Sequence, residues 1–240
     1  MTDLDIIQPE LLSTNAITNR SISKGIVVHS GKGSIYTDAE VVALPSINND
    51  HPRYREWKVR QRSTKRLLKQ VQQVGSSVNI LEVGCGNGWL AAKLAGVTSG
   101  NVTGIDVNMR ELRQARRVFG SLTNLEFVAT DILDRELLEK QFDIIVFAGS
   151  IQDFSSLKEV IISSLEHLTL KGQVHILNSP LFTRKNIHGE QQHADEDHIH
   201  RLCDLESFQY KMIYNPDAWH NKLFAKRDPF CHIVIKNHYH

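Results

Sequence analysis

Between residues 78 and 177 the chain alternates two hydrophobic rhythms. Short apolar runs rich in Val, Ile and Phe occupy 78–83, 101–108, 125–132, 142–149 and 170–177. Stretches with apolar positions three and four apart fall between them. Runs of that length and composition read as buried strands, and the intervening spacing reads as helices. Leu112, Ala115, Val118 and Phe119 share one helical face, as do Leu157, Val160, Ile161, Leu165 and Leu168. Strand and helix in alternation predict an α/β fold with a parallel sheet covered on both faces. Two later runs, 208–214 and 230–236, read as closing strands.

Upstream, 53–74 predicts a long helix. Tyr54, Trp57, Leu67, Leu68, Val71 and Val74 form its apolar stripe, and basic residues fill the rest. Gly75-Ser76-Ser77 ends it. Two short runs, 25–29 and 34–37, flank Ser30-Gly31-Lys32-Gly33 and predict a hairpin, and 40–45 predicts another short strand. The first 24 residues are polar and aperiodic, a loose arm. The expected organisation is therefore an arm and hairpin over 1–50 and a main domain over 51–240.

Composition narrows the class. The 240 residues carry 28 basic and 27 acidic side chains, a net charge of +1. That balance argues against a nucleic-acid partner and gives no general attraction to membranes. No apolar run nears the ~20 residues that span a bilayer. Three scattered cysteines do not make a disulfide framework, and the acidic start lacks the pattern of a signal peptide. The expectation is a cytoplasmic protein. Residues 183–206 mix His188, His193, His198 and His200 with Glu190, Asp195, Glu196 and Asp197. Without H-E-x-x-H or paired cysteines they read as a polar helix or lid over the site, and no metal is expected.

The chemistry concentrates after the first strand. Glu82-Val83-Gly84-Cys85-Gly86-Asn87-Gly88 joins that strand to a helix beginning near Trp89. Three glycines without Cβ atoms let a ligand approach the backbone closely. A dinucleotide fingerprint is spaced G-x-G-x-x-G/A and places pyrophosphate on the following helix. Here the third glycine comes one residue early, and Glu82 would face a pyrophosphate poorly. An acid at that place suits a ligand carrying positive charge. Asp106 ends the second strand about 20 residues on, where an acid hydrogen-bonds ribose hydroxyls in doubly wound folds. Capping the next helix is its competing role, which Asn108 could fill equally well.

This constellation resembles motif I of the class I S-adenosylmethionine (SAM)-dependent methyltransferases, [DE]-x-G-x-G-x-G, matched at Glu82, Gly84, Gly86 and Gly88. The resemblance implies a doubly wound Rossmann-like sheet of seven strands, mostly parallel with an antiparallel last strand, behind the N-terminal hairpin. It implies SAM as cofactor, held by Glu82, Gly84, Cys85, Gly86, Gly88, Asp106 and Val107. Asp131 and Ile132 would take the adenine, and Arg60 or Tyr54 the methionyl carboxylate. Gln152 and Asp153 would border the reaction centre after the fourth strand, where many relatives carry a His or an aromatic pair. Asp153 also reads as the cap of the next helix. The implied activity is methyl transfer to a small-molecule acceptor. A SAM-binding scaffold without turnover and an NAD-dependent oxidoreductase are the competing classes. Acceptor identity and oligomeric state are not written in the sequence.

Overall fold

The computed structural model describes residues 36–134, 140–179, 210–215 and 228–236. Seven strands form one sheet: β1 (Ile80–Val83), β2 (Val102–Asp106), β3 (Leu125–Ala129), β4 (Phe142–Ala148), β5 (Leu168–Leu177), β6 (Tyr210–Tyr214) and β7 (His232–Lys236). Their spatial order is β3-β2-β1-β4-β5-β7-β6. Strands β1 to β5 run parallel, while β7 pairs antiparallel with both β5 and β6. The order reverses between β1 and β4, and ligands bind outside the carboxyl ends of strands at such a point.

Five α-helices are described: α1 (Asp38–Ala43), α2 (Tyr54–Val74), α3 (Trp89–Ala95), α4 (Met109–Phe119) and α5 (Leu157–Glu166). Alternate residues along each strand enter two cores. Ile80, Val102, Ile144 and Val146 pack with Val41, Leu67, Leu90 and Leu112 from α1 to α4. Leu81, Val83, Ile145 and Phe147 pack with Val160, Ile161 and Leu165 from α5. The continuous apolar runs are thus the signature of strands buried on both faces.

One expectation is corrected. Residues 40–45 do not form a strand, because the segment is helical over Asp38–Ala43. Thr37 accepts from the Glu40 amide, and the Glu40 side chain accepts from the Thr37 amide at 2.6 Å. This reciprocal cap satisfies two otherwise free donors and fixes the helix start. Val41 and Leu44, three apart, enter the core together, while Val42 stays exposed. The remainder of the predicted hairpin, the arm and the histidine-rich 183–206 lie outside the described residues.

The N-terminal segment is tied to the domain at several points. Arg117 donates to both carboxylate oxygens of Asp38, and Gln114 donates to the Tyr36 carbonyl. The Trp57 indole donates to the Tyr36 hydroxyl at 2.7 Å, and its ring meets Trp89 edge to face. These contacts seat α1 and α2 beside the start of α3.

Candidate cofactor site

The glycine turn follows β1 at the carboxyl edge of the sheet, and each glycine there meets a different requirement. Gly84, Gly86 and Gly88 all have positive φ, at 73°, 53° and 76°. A Cβ on Gly84 would fall 2.5 Å from Ser150 Cβ, so the turn after β1 touches the end of β4. Gly88 would collide with Phe127 and Ala115, and it serves the packing of α3 on β3 and α4. At Gly86 the corresponding space is open, and the nearest of the described residues is Glu111 at 3.7 Å. Gly86 is therefore the position where a ligand can lie on the backbone. The Cys85 side chain turns away, buried against Gly104, and burial pushes its thiol pKa up.

The turn is bonded to the neighbouring strand. Gly86 donates its amide to Asp106 Oδ2 at 2.7 Å, and Asn108 donates to Asp106 Oδ1 at 2.8 Å. Each oxygen keeps a second lone pair for hydroxyl donors. Capping of α4 falls to Asn108, whose Oδ1 accepts from Arg110 and Glu111. Half-buried Val107 separates the two.

Glu82 is 3% exposed, facing the α2 side of the sheet beside Asp106. Burial and then the Asp106 charge raise its carboxyl pKa well above the usual range. The Ala91 amide and the Arg60 charge act the other way. Its Oε2 is buried with no hydrogen-bond partner among the described residues. A buried carboxylate oxygen without a donor is costly, and a cationic group supplies what it lacks.

Asp131 follows β3, buried, with Oδ1 accepting from the Leu133 amide at 2.6 Å. Ile132 is fully buried, and its carbonyl accepts from Ser163. Since Asp106 pairs with Ala129 across β2 and β3, the acids lie along one edge of three adjacent strands. Arg60 reaches the same edge from α2: its Nη2 lies 3.6 Å from where a Gly149 Cβ would be. Tyr54 lies outside this grouping. It opens α2 with the Lys58 ammonium over its ring, about 120° around the helix from Arg60.

After β4, Ser150 donates to the Val83 carbonyl at 2.5 Å, and Gln152 donates to the Gly149 carbonyl at 2.6 Å. Gln152 and Asp153 lie in a single 3-10 turn, Ile151–Asp153. Asp153 does not cap the next helix as its position suggested; the Ser156 hydroxyl accepts from Glu159 and does so. Two features of this edge were not among the expected site residues. Asn178, just past β5, is 7% exposed, has φ of 56° and leaves Oδ1 without a partner among the described residues. The Tyr36–Trp57–Trp89 aromatic group also went unseen, although Thr37-x-x-Glu40 signalled the helix start that positions Tyr36. A cavity of about 430 Å³ opens at the opposite edge, near Asn79, Asn101 and Lys140, and touches none of these residues.

The site thus combines an open glycine, an acid at the end of β2 bonded to the turn, and a buried carboxylate with one oxygen unpartnered among the described residues. This set fits an adenosyl group bearing an ammonium and a sulfonium. Comparisons with known proteins agree. Residues 80–172 match the family model described as a methyltransferase domain. The chain is 30% identical over 189 residues to malonyl-[acyl-carrier protein] O-methyltransferase of Bacillus anthracis, covering 70% of this chain and 68% of that protein. The Bacillus cereus protein of the same name is 27% identical over 134 residues, covering 55% and 48%. Among solved structures, the plantazolicin methyltransferase BpumL, in complex with a triazolic desmethylPZN analog and SAH, shares the fold. Its TM-score is 0.60 at 15% identity, over 94% of this chain and 98% of that one. Magnesium protoporphyrin IX methyltransferase (ChlM) from Synechocystis PCC 6803, with bound SAM, has a TM-score of 0.57 at 12% identity, over 91% and 97%. Nothing in these comparisons favours a nicotinamide enzyme. With an acid-led glycine turn on a sheet of this order, and a relative this similar over two thirds of its length, the chain belongs to the class I SAM-dependent methyltransferases.

Proposed function

We propose that the chain methylates an oxygen of a small acyl acceptor, with SAM seated along the carboxyl ends of β1, β2 and β3. The single observation carrying the cofactor placement is the unpartnered Oε2 of buried Glu82 beside open Gly86 and Asp106. In this reading Glu82 accepts from the methionyl ammonium, and Arg60 pairs with the methionyl carboxylate. Asp106 accepts from the ribose hydroxyls, Asp131 accepts from the adenine amino group, and the Ile132 amide donates to the ring. Gly84, Gly86 and the Cys85 and Val107 backbones line the path between them.

SAM supplies an electrophilic methyl on a sulfonium that leaves as a neutral thioether. The chain's own residues have to orient the acceptor in line and exclude water, and such alignment accounts for up to ~7–11 kcal/mol in well-placed reactions. The described polar groups at the ends of β4 and β5 include the Ser150 and Ser179 hydroxyls and the Gln152 and Asn178 amides, with Asp153 at the margin. Neutral amides can hold an oxygen anion by N–H donation. A carboxylate enters already ionised, so no proton has to be removed before transfer. The O-methyltransferase names of the Bacillus relatives support the same acceptor class, and their acceptor is borne on an acyl carrier protein.

Incubation with SAM and a panel of acyl acids, free and carrier-borne, tests this by mass spectrometry. The expected product gains one CH2 and loses it in mild base, as a methyl ester does. Methylation only of nitrogen or carbon acceptors contradicts the oxygen assignment. Cofactor binding without turnover on any acceptor returns the chain to the scaffold reading.

A further inference from the structure

We propose that the outward face of α2 docks a small acidic protein that presents the acceptor on a tether. This rests on the acceptor class proposed above. From Arg53 to Lys69 there are eight cations and one acid, Glu56, in a chain of net charge +1. Glu56 is engaged by Arg53 and Arg60, and Arg66 pairs with buried Asp228. Arg55, Lys58, Arg62, Lys65 and Lys69 make no ion pair among the described residues. Their spacings of three and four put all five within an arc of roughly 80°, in a row about 21 Å long. Trp57, Thr64, Leu67 and Val71 are buried on the opposite side.

Neighbours in this row stand ~5–6 Å apart, inside the ~8 Å screening length at physiological salt, so their fields add. Like charges three and four apart oppose helix formation. A face that only needed solvation would mix signs, and this one does not. Arg60 is on the inner side of the same helix, at the cofactor edge, so a partner on the row sits one helix diameter, ~10 Å, from the cleft. A tethered acyl group spans that distance.

Acidic protein fits better than nucleic acid. The sequence pI of about 7.8 lies below the basic range of nucleic-acid domains. Trp57 is buried, and the ring of Tyr54 beside the row is covered by the Lys58 ammonium, so neither offers an open face for base stacking. A straight row on one helix matches carboxylates repeated along a partner helix.

Fluorescence anisotropy with dye-labelled, malonyl-loaded acyl carrier protein tests the proposal on the full chain, beside an RNA oligonucleotide of about 20 nucleotides. The carrier is expected to bind. Its affinity should fall at least ~10-fold on raising salt from about 50 to about 300 mM, and at least ~10-fold in the triple variant Arg55→Glu, Lys65→Glu, Lys69→Glu. Calorimetry with S-adenosylhomocysteine should be unchanged in that variant, showing an intact fold. No carrier binding by wild type, equal binding by the variant, or tighter binding of RNA overturns the proposal. Failure of wild type to bind S-adenosylhomocysteine counts against the cofactor reading, and the carrier titration still decides the row.

Discussion

The Gly86 amide donates a 2.7 Å hydrogen bond to Asp106 Oδ2, tying the turn after β1 to the end of β2. A residue 20 positions away in sequence thereby holds the one glycine of the turn whose Cβ space is open among the described residues. The Asp106 carboxylate is oriented by the same bond and by the Asn108 amide. The turn and the Asp106 carboxylate are therefore set together before any ligand arrives.

The glycines should separate by substitution. Gly86→Ala meets no atom closer than 3.7 Å, so its cost is the positive φ of 53°, about 1–2 kcal/mol. It should melt a few degrees lower and bind S-adenosylhomocysteine more weakly. Gly88→Ala adds collisions with Phe127 at 2.5 Å and Ala115 at 2.9 Å, for about 3 kcal/mol or more in total. Thermal melts and calorimetry on both variants check this. Equal melting losses, or full affinity in Gly86→Ala, contradict it.

Glu82 predicts a pH effect on the ligand-free chain. Burial first, then Asp106, raise its folded pKa above the unfolded value of 4.5. The stability it contributes is present below about 4.5 and is lost as pH rises through the folded pKa. Glu82→Gln should be close to wild type at pH 5, more stable than wild type at pH 8, and at least ~10-fold weaker for SAM. Melts at both pH values decide the first part and titration with SAM the second. A melting difference independent of pH contradicts the assignment.

The histidine pair across β5 and β7 predicts the opposite slope. His175 Nδ1 and His232 Nε2 lie 3.0 Å apart, both rings fully buried. Burial lowers their pKa values to about 4 and about 3. Their stability is present above the unfolded value of 6.5 and is lost as pH falls through the folded values. Between pH 7 and 5 the loss is on the order of 2 kcal/mol for one ring. Urea unfolding of wild type and His175→Gln/His232→Gln measures it, and the variant should show the shallower acid slope. Identical slopes contradict the prediction.

Much of the sheet was legible because parallel strands buried on both faces leave continuous apolar runs, as in Ile144-Ile145-Val146-Phe147. The turn was legible because its glycines answer to backbone conformation, visible at Gly84 and Gly86. Local apolar content misled at Val41-Val42-Ala43-Leu44: it reads as a strand, yet the Thr37 and Glu40 cap outweighs β propensity. Asp153 and Ser156 are both acceptable caps by residue type, and only the chain's path after the 3-10 turn separates them. The neighbourhood of Glu82, Asp106 and Arg60 depends on strand register and on where α2 crosses the sheet. The apolar run shows Asn178 only as the end of a strand at the binding edge; its left-handed backbone and buried amide exist only in three dimensions.

Calorimetric titration with S-adenosylhomocysteine, on wild type and Asp106→Ala, tests the central claim most directly. The account predicts one-site binding by wild type and at least ~100-fold weaker binding by the variant, which loses two charge-assisted hydrogen bonds to ribose and the anchor of Gly86. No heat with wild type, or unchanged affinity in Asp106→Ala, contradicts it.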